Sequence, residues 1–117
     1  MRLLTILCLV LLSSCSQEPE DFNKNETVTR DGLVYHQLST EPLTGTVVSF
    51  YENGRLEGRE HFKDGKEDGL YEWFYPNGQL LYRGNFKDGK QEGLWEWFDE
   101  EGNLIDTYEY KDGELIE

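Results

Sequence analysis

The chain has 117 residues, and its 24 Asp and Glu against 11 Lys and Arg leave a net charge of -13. Nucleic acid is not expected as a partner, because Lys and Arg neutralising the phosphate backbone supply most of that affinity, and anionic lipid headgroups are disfavoured by the same sign. The two cysteines, Cys8 and Cys15, both lie near the start, which leaves the rest of the chain without a disulfide or a thiolate metal site.

In chain order, "MRLLTILCLVLLSSC" reads as an export signal: Arg2, an apolar run from Leu3 to Leu12, then small residues. The run is too short to cross a bilayer as a helix. Its ending, "LSSC", resembles the bacterial lipobox, which implies cleavage after residue 14 and lipid on Cys15. Ser16 rather than aspartate in the next position favours the outer membrane in enterobacterial-type sorting. Acyl chains would then hold the protein on a membrane without crossing it. Residues 15–29, "CSQEPEDFNKNETVT", are polar and acidic and read as a flexible tether. Residues 30–44 read as an N-terminal capping hairpin around Asp31 and Gly32, followed by a loop containing Pro42.

From Gly45 the chain repeats. Gly45, Gly69 and Gly93 form one series, Gly54, Gly78 and Gly102 a second, and Gly65, Gly89 and Gly113 a third, each with a step of 24. Repeats of this size belong to arrays in which every unit needs its neighbour to bury an apolar face. Within a unit the pattern alternates: Tyr71, Trp73 and Tyr75 share one strand face, with Leu70, Glu72 and Phe74 on the other. Pro76-Asn77-Gly78 suits a type I turn closed by a left-handed glycine. Lys-Asp-Gly at Lys63, Lys87 and Lys111 makes a second turn. Each unit is thus a β-hairpin, marginal alone. A buried Tyr or Trp removes ~150–250 Å² from water, at most about 4–6 kcal/mol, and stacking is what captures it. The expected fold is all-β, an elongated antiparallel meander of stacked hairpins in three units, 45–68, 69–92 and 93–117.

The segments "YENGRLEG", "FKDGKEDGLYEWFYPNGQLLYRG" and "FKDGKQEGLWEWF" resemble MORN repeats, and more closely their bacterial variant found in YwqK-type antitoxins. The resemblance covers roughly residues 45–117. Asp99, Glu100 and Glu101 depart from the Tyr-Pro-Asn of the middle unit, and "GTVVSF" lacks the usual tryptophan; both lie at array ends, where capping units are atypical.

Chemistry is sparse. His36 and His61 read as strand residues, with no second ligand at metal spacing and no Ser/His/Asp arrangement. Glu72 and Glu96 sit at equivalent positions and invite comparison with a glycosidase pair, but repetition alone explains the match. No enzyme activity and no cofactor are expected. Two features remain as candidate partner-binding groups. One is the aromatic row Tyr71, Trp73, Trp95 and Trp97, which serves equally as core. The other is the last unit, where one lysine faces nine carboxylates; Asp99, Glu100, Glu101, Asp106 and Glu109 would dock a basic partner or protect a terminal strand. The expected function is a non-enzymatic envelope lipoprotein whose array binds protein. The resemblance also implies an antitoxin that neutralises a basic toxin, and aromatic hairpins allow a third reading, cell-wall glycan binding.

Overall fold

The computed structural model describes residues 21–116; the expected export signal, Cys15 and residues 15–20 lie outside them. Four Asp-Gly pairs organise the chain. At Asp31-Gly32, Asp64-Gly65, Asp88-Gly89 and Asp112-Gly113 both residues have positive φ, about 50° for each Asp and between 79° and 84° for each Gly. That is the two-residue type I′ turn, whose twist matches the strands it joins. The aspartate therefore shares the left-handed conformation with its glycine, a role beyond the local hydrogen bonding expected of it. Asp and Asn tolerate that region better than other side chains.

The strands are β1 (Asp21–Asn23), β2 (Thr27–Arg30), β3 (Leu33–His36), β4 (Gly45–Phe50), β5 (Leu56–Lys63), β6 (Lys66–Phe74), β7 (Leu80–Lys87), β8 (Lys90–Phe98), β9 (Leu104–Lys111) and β10 (Glu114–Leu115). Strands β4 to β10 pair in sequence order as one antiparallel meander, with β1 added beside β4. The all-β fold of stacked hairpins is therefore what the chain forms. Type I′ turns close the β2–β3, β5–β6, β7–β8 and β9–β10 hairpins, and longer loops ending in Gly-Arg, Gly-Gln and Gly-Asn close β4–β5, β6–β7 and β8–β9. The ladder shifts register opposite Glu60 to Phe62 and Arg83 to Asn85. These bulges lie beside Gly69 and Gly93, both at positive φ, and bulges bend the strands that carry them.

The N-terminal segment differs from the expected tether. Residues 21–29 are not loose: β1 pairs in parallel with β4, with Phe22 opposite Val47, and a short 3-10 turn over Lys24–Glu26 leads into β2. The physical reason is Phe22, which packs with Val34 against the buried Leu43, Val47 and Phe62. One apolar side chain in an acidic run suffices to fasten the strand. Strands β2 and β3 form an antiparallel hairpin in which Thr27 pairs with His36 and Arg30 with Leu33. It is stitched to the array by three backbone bonds: Val34 N–H to Gly65 O (2.8 Å), Leu43 N–H to Val34 O (2.8 Å) and Gly65 N–H to Leu43 O (2.7 Å).

Candidate functional site

Alternation on the strands puts Tyr71, Trp73, Tyr82, Phe86, Trp95, Trp97 and Tyr110 on one face. Cross-strand register brings them together, with Trp73 opposite Tyr82 and Tyr82 opposite Trp97. Tyr82 stacks on Trp97 with ring centroids 4.4 Å apart; Phe86 meets Trp95 edge-on at 5.2 Å, and Tyr71 lies 5.5 Å from Trp95. Offset and edge-on pairs at such distances contribute ~0.5–1.5 kcal/mol each beyond burial.

The tryptophans lie down on glycines. A Cβ at Gly58 would stand 2.8 Å from the Trp73 indole, and one at Gly84 would overlap Trp95. Trp95 is consequently 3% exposed, so of the four aromatic candidates it is core. Tyr71, Trp73 and Trp97 are half-buried. With Tyr82, Phe86, Trp95 and Tyr110, Tyr71 and Trp97 line a shallow recess of 340 Å³. The indole N–H of Trp95 is buried and has no acceptor among the described residues; that of Trp73, also buried, is directed to the Glu60 carboxylate from beyond contact hydrogen-bond distance.

The Glu60 carboxylate stands in this aromatic face. Glu60 lies opposite Val47 on β4 and Tyr71 on β6, where the later units place Gly84 and Tyr108. Burial pushes its carboxyl above the ordinary carboxylate range, against the opposing pull of the Lys24 ammonium. Glu67 is raised in the same way, by burial and then by the Glu60 charge. Burial also pushes the Tyr71 hydroxyl well up. The sequence reading missed Glu60 and Lys24. The signal for Glu60 was the break in the 24-residue column Glu60, Gly84, Tyr108; nothing in the sequence pointed to Lys24.

The opposite face carries two repeat-related ion pairs, Arg59 to Glu72 at 2.8 Å and Arg83 to Glu96 at 3.0 Å. Each of the two matching glutamates therefore faces its own arginine. His61 shares a 3.0 Å hydrogen bond with the Thr46 hydroxyl. Among the described residues no group of three or more His, Cys, Asp or Glu is placed to hold a metal ion.

The acidic candidates separate into three places. Asp99, Glu100 and Glu101 form the loop after β8. There Asp99 accepts from the backbone N–H of Glu101 and Asn103, both at 2.9 Å, and from the Asn103 side chain at 3.1 Å; these bonds hold its carboxyl below the usual range. Asp106 lies on the aromatic face opposite Trp97. It accepts from the Thr107 backbone N–H at 2.9 Å and from the Tyr108 hydroxyl at 2.8 Å. The Ile116 N–H donates to Glu109 O, so odd-numbered residues of β9 turn their backbone groups to the outer edge. Asp106 thus covers an outward-facing amide of an edge strand, a device that discourages added strands. Glu109 is opposite Leu94, on the face away from the aromatic row.

The geometry defines a class: a β-meander built from 24-residue hairpin units that share one aromatic face. The family model of the MORN repeat variant matches residues 43–64, 67–88 and 91–112, three windows of 22 residues covering 66 of the 117. The chain belongs to this MORN repeat family. No curated protein and no solved structure matches it. MORN repeats are commonly modules that bind protein or membrane.

Proposed function

We propose that the chain is a non-enzymatic protein-binding module of the bacterial envelope, held at the outer membrane by lipid on Cys15, and that its aromatic face receives an extended, basic segment of another protein. The observation that carries this reading is the half-buried recess on this face, 340 Å³, walled by Tyr71, Tyr82, Phe86 and Trp97 over the buried Trp95. Partly exposed aromatic side chains of this kind are common anchors of protein interfaces. The net charge of -13 supports a basic partner. Chemical crosslinking and pulldown from envelope and secreted fractions is expected to capture one protein with the parent, and at least tenfold less with Trp97→Ala. Equal capture by the variant would overturn the assignment of this face. Labelling with radioactive palmitate is expected to mark the parent and leave Cys15→Ala unlabelled.

A second reading, neutralisation of a basic toxin, is favoured by the acidic last unit, in which one lysine faces nine carboxylates. It predicts that cells exposed to a toxin encoded beside this chain survive only when the chain is present.

A further inference from the structure

Lys24 belongs to the 3-10 turn that follows β1, and its side chain reaches across to the aromatic face. The ammonium nitrogen sits 4.7 Å from the centroid of the Trp73 ring. Tyr71 and Tyr82 continue the wall, with Tyr71 6.2 Å from Trp73 and 5.9 Å from Tyr82 between centroids. Glu60 projects from the same face, between Val47 and Tyr71 in register. A ring face and a carboxylate converging on a cation are how proteins recognise ammonium groups. We propose that Trp73, Tyr71, Tyr82 and Glu60 form a binding site for a primary alkylammonium group, the side chain of a lysine in an extended partner segment, and that Lys24 is the internal occupant a partner lysine displaces.

Two observations favour displacement over a purely structural clasp. The first is that Lys24 uses the site incompletely. The contact ion pairs among the described residues are Arg59–Glu72 and Arg83–Glu96, so Lys24 lies over the ring without reaching ion-pair distance of Glu60. A lysine arriving from outside is free of the 3-10 turn and can meet ring and carboxylate together. The second is that Glu60 breaks the repeat. The equivalent positions carry Gly84 and Tyr108, either of which would suit a packed aromatic face better than a half-buried carboxylate that burial disfavours in its charged form. Lys24 is exposed, so its side chain can swing off the ring while the turn stays fixed by the bond from Gln37 N–H to Glu26 O. A single cation–π contact is a modest attraction even when desolvated, which makes a lone ammonium a weak ligand and a lysine within a peptide a selective one.

The inference rests on reading the chain as a protein-binding module, but its test needs no protein partner. The probe is n-butylammonium chloride, with 1-pentanol as a neutral control of similar size, followed through the Trp73 indole N–H resonance, assigned by its loss in Trp73→Phe. In Lys24→Ala the probe is expected to shift that resonance saturably, with a Kd at least fivefold lower than in the parent; in Lys24→Ala with Glu60→Gln the Kd rises at least tenfold. Pentanol produces no saturable shift. Equal Kd values in parent and Lys24→Ala, or a Kd unaffected by Glu60→Gln, would overturn the proposal. If Lys24→Ala does not fold, Lys24→Met, which keeps the aliphatic stem, replaces it under the same criteria. Loss of pulldown with ammonium binding intact would count against the protein-binding reading alone, and the converse against this site alone.

Discussion

Glu60 shows how a single position departs from the rules that govern its neighbours. It occupies a column that packing fills with Gly84 and Tyr108, and its raised carboxyl means that the folded chain holds a proton at pH values where the unfolded chain has released it. Between its raised folded value and the ordinary carboxylate value, the folded state binds more protons, so lowering the pH through this window adds stability. The ionised form near pH 7 is the costly one. Glu60→Gln is therefore expected to melt higher than the parent at pH 7, by a few degrees at about 4–8 °C per kcal/mol. The difference should shrink as pH falls through that window and disappear below the ordinary carboxylate value, where Glu60 is neutral in both states. Parallel thermal melts between pH 4 and pH 8 check this; a difference that does not change with pH would place the cost of Glu60 in its shape and not its charge. At the same scale, the roles of Gly58 and Gly84 were hidden, because a glycine in a strand pattern reads as weakness until the indole lying across it is seen. Asp99 and Asp106 were also opaque: a dense run of carboxylates looks like surface, and only coordinates reveal which of them close local amides.

At the scale of the hairpin, the units are joined at both turn edges. On one edge the Gly89 N–H donates to Glu67 O and the Gly113 N–H to Gln91 O. Beside them the Asp88 and Asp112 N–H groups reach the carboxylates of Asp68 and Glu92. On the other edge the Tyr51 hydroxyl donates to Phe74 O, the Tyr75 hydroxyl to Phe98 O at 2.8 Å, and the Asn53 and Asn77 side chains to Pro76 O and Glu100 O. The final loop has Asp99 in the tyrosine's place and Glu101 in the asparagine's. Asp99 takes over the amide of Asn103, as Asn77 takes that of Gln79, and neither Asp99 nor Glu101 extends a side-chain donor onward. Tyr75→Phe removes one inter-unit bond while keeping the ring, and is expected to cost about 1 kcal/mol, measured as a lower urea midpoint with an unchanged slope. Stability equal to the parent would mean that the hydroxyl bond contributes nothing net. The hairpins, their turn residues and their faces were legible because three copies of one pattern average away local ambiguity. Strand β1 was not, since three residues with one aromatic carry no periodicity, and the parallel partner they find lies more than twenty positions away.

At the scale of the molecule, the sheet is a row of equivalent hairpins with different ends. Strand β1 and the β2–β3 hairpin close the first end around Phe22 and Val34. The short β10 and the Asp106 cap close part of the other. Because each unit contacts mainly its neighbours, stability in such arrays is roughly a sum over units and interfaces. Deleting residues 69–92 joins 45–68 to 93–117 in the same register, and is expected to leave a cooperative β-sheet with a smaller urea slope, in line with the reduced surface exposed on unfolding. Deleting twelve residues, 69–80, should abolish cooperative melting, because it joins half-units whose faces do not match. Circular dichroism with urea titration distinguishes the two outcomes. The staples on the Tyr and Asn edge have a further consequence. Their acceptors, at Phe74, Pro76, Phe98 and Glu100, are main-chain carbonyls, which every residue type supplies. A duplicated segment can accordingly slot in behind any existing copy without matched side-chain changes, leaving evolution free to lengthen or shorten the protein in whole-hairpin steps while the finishing copy stays last.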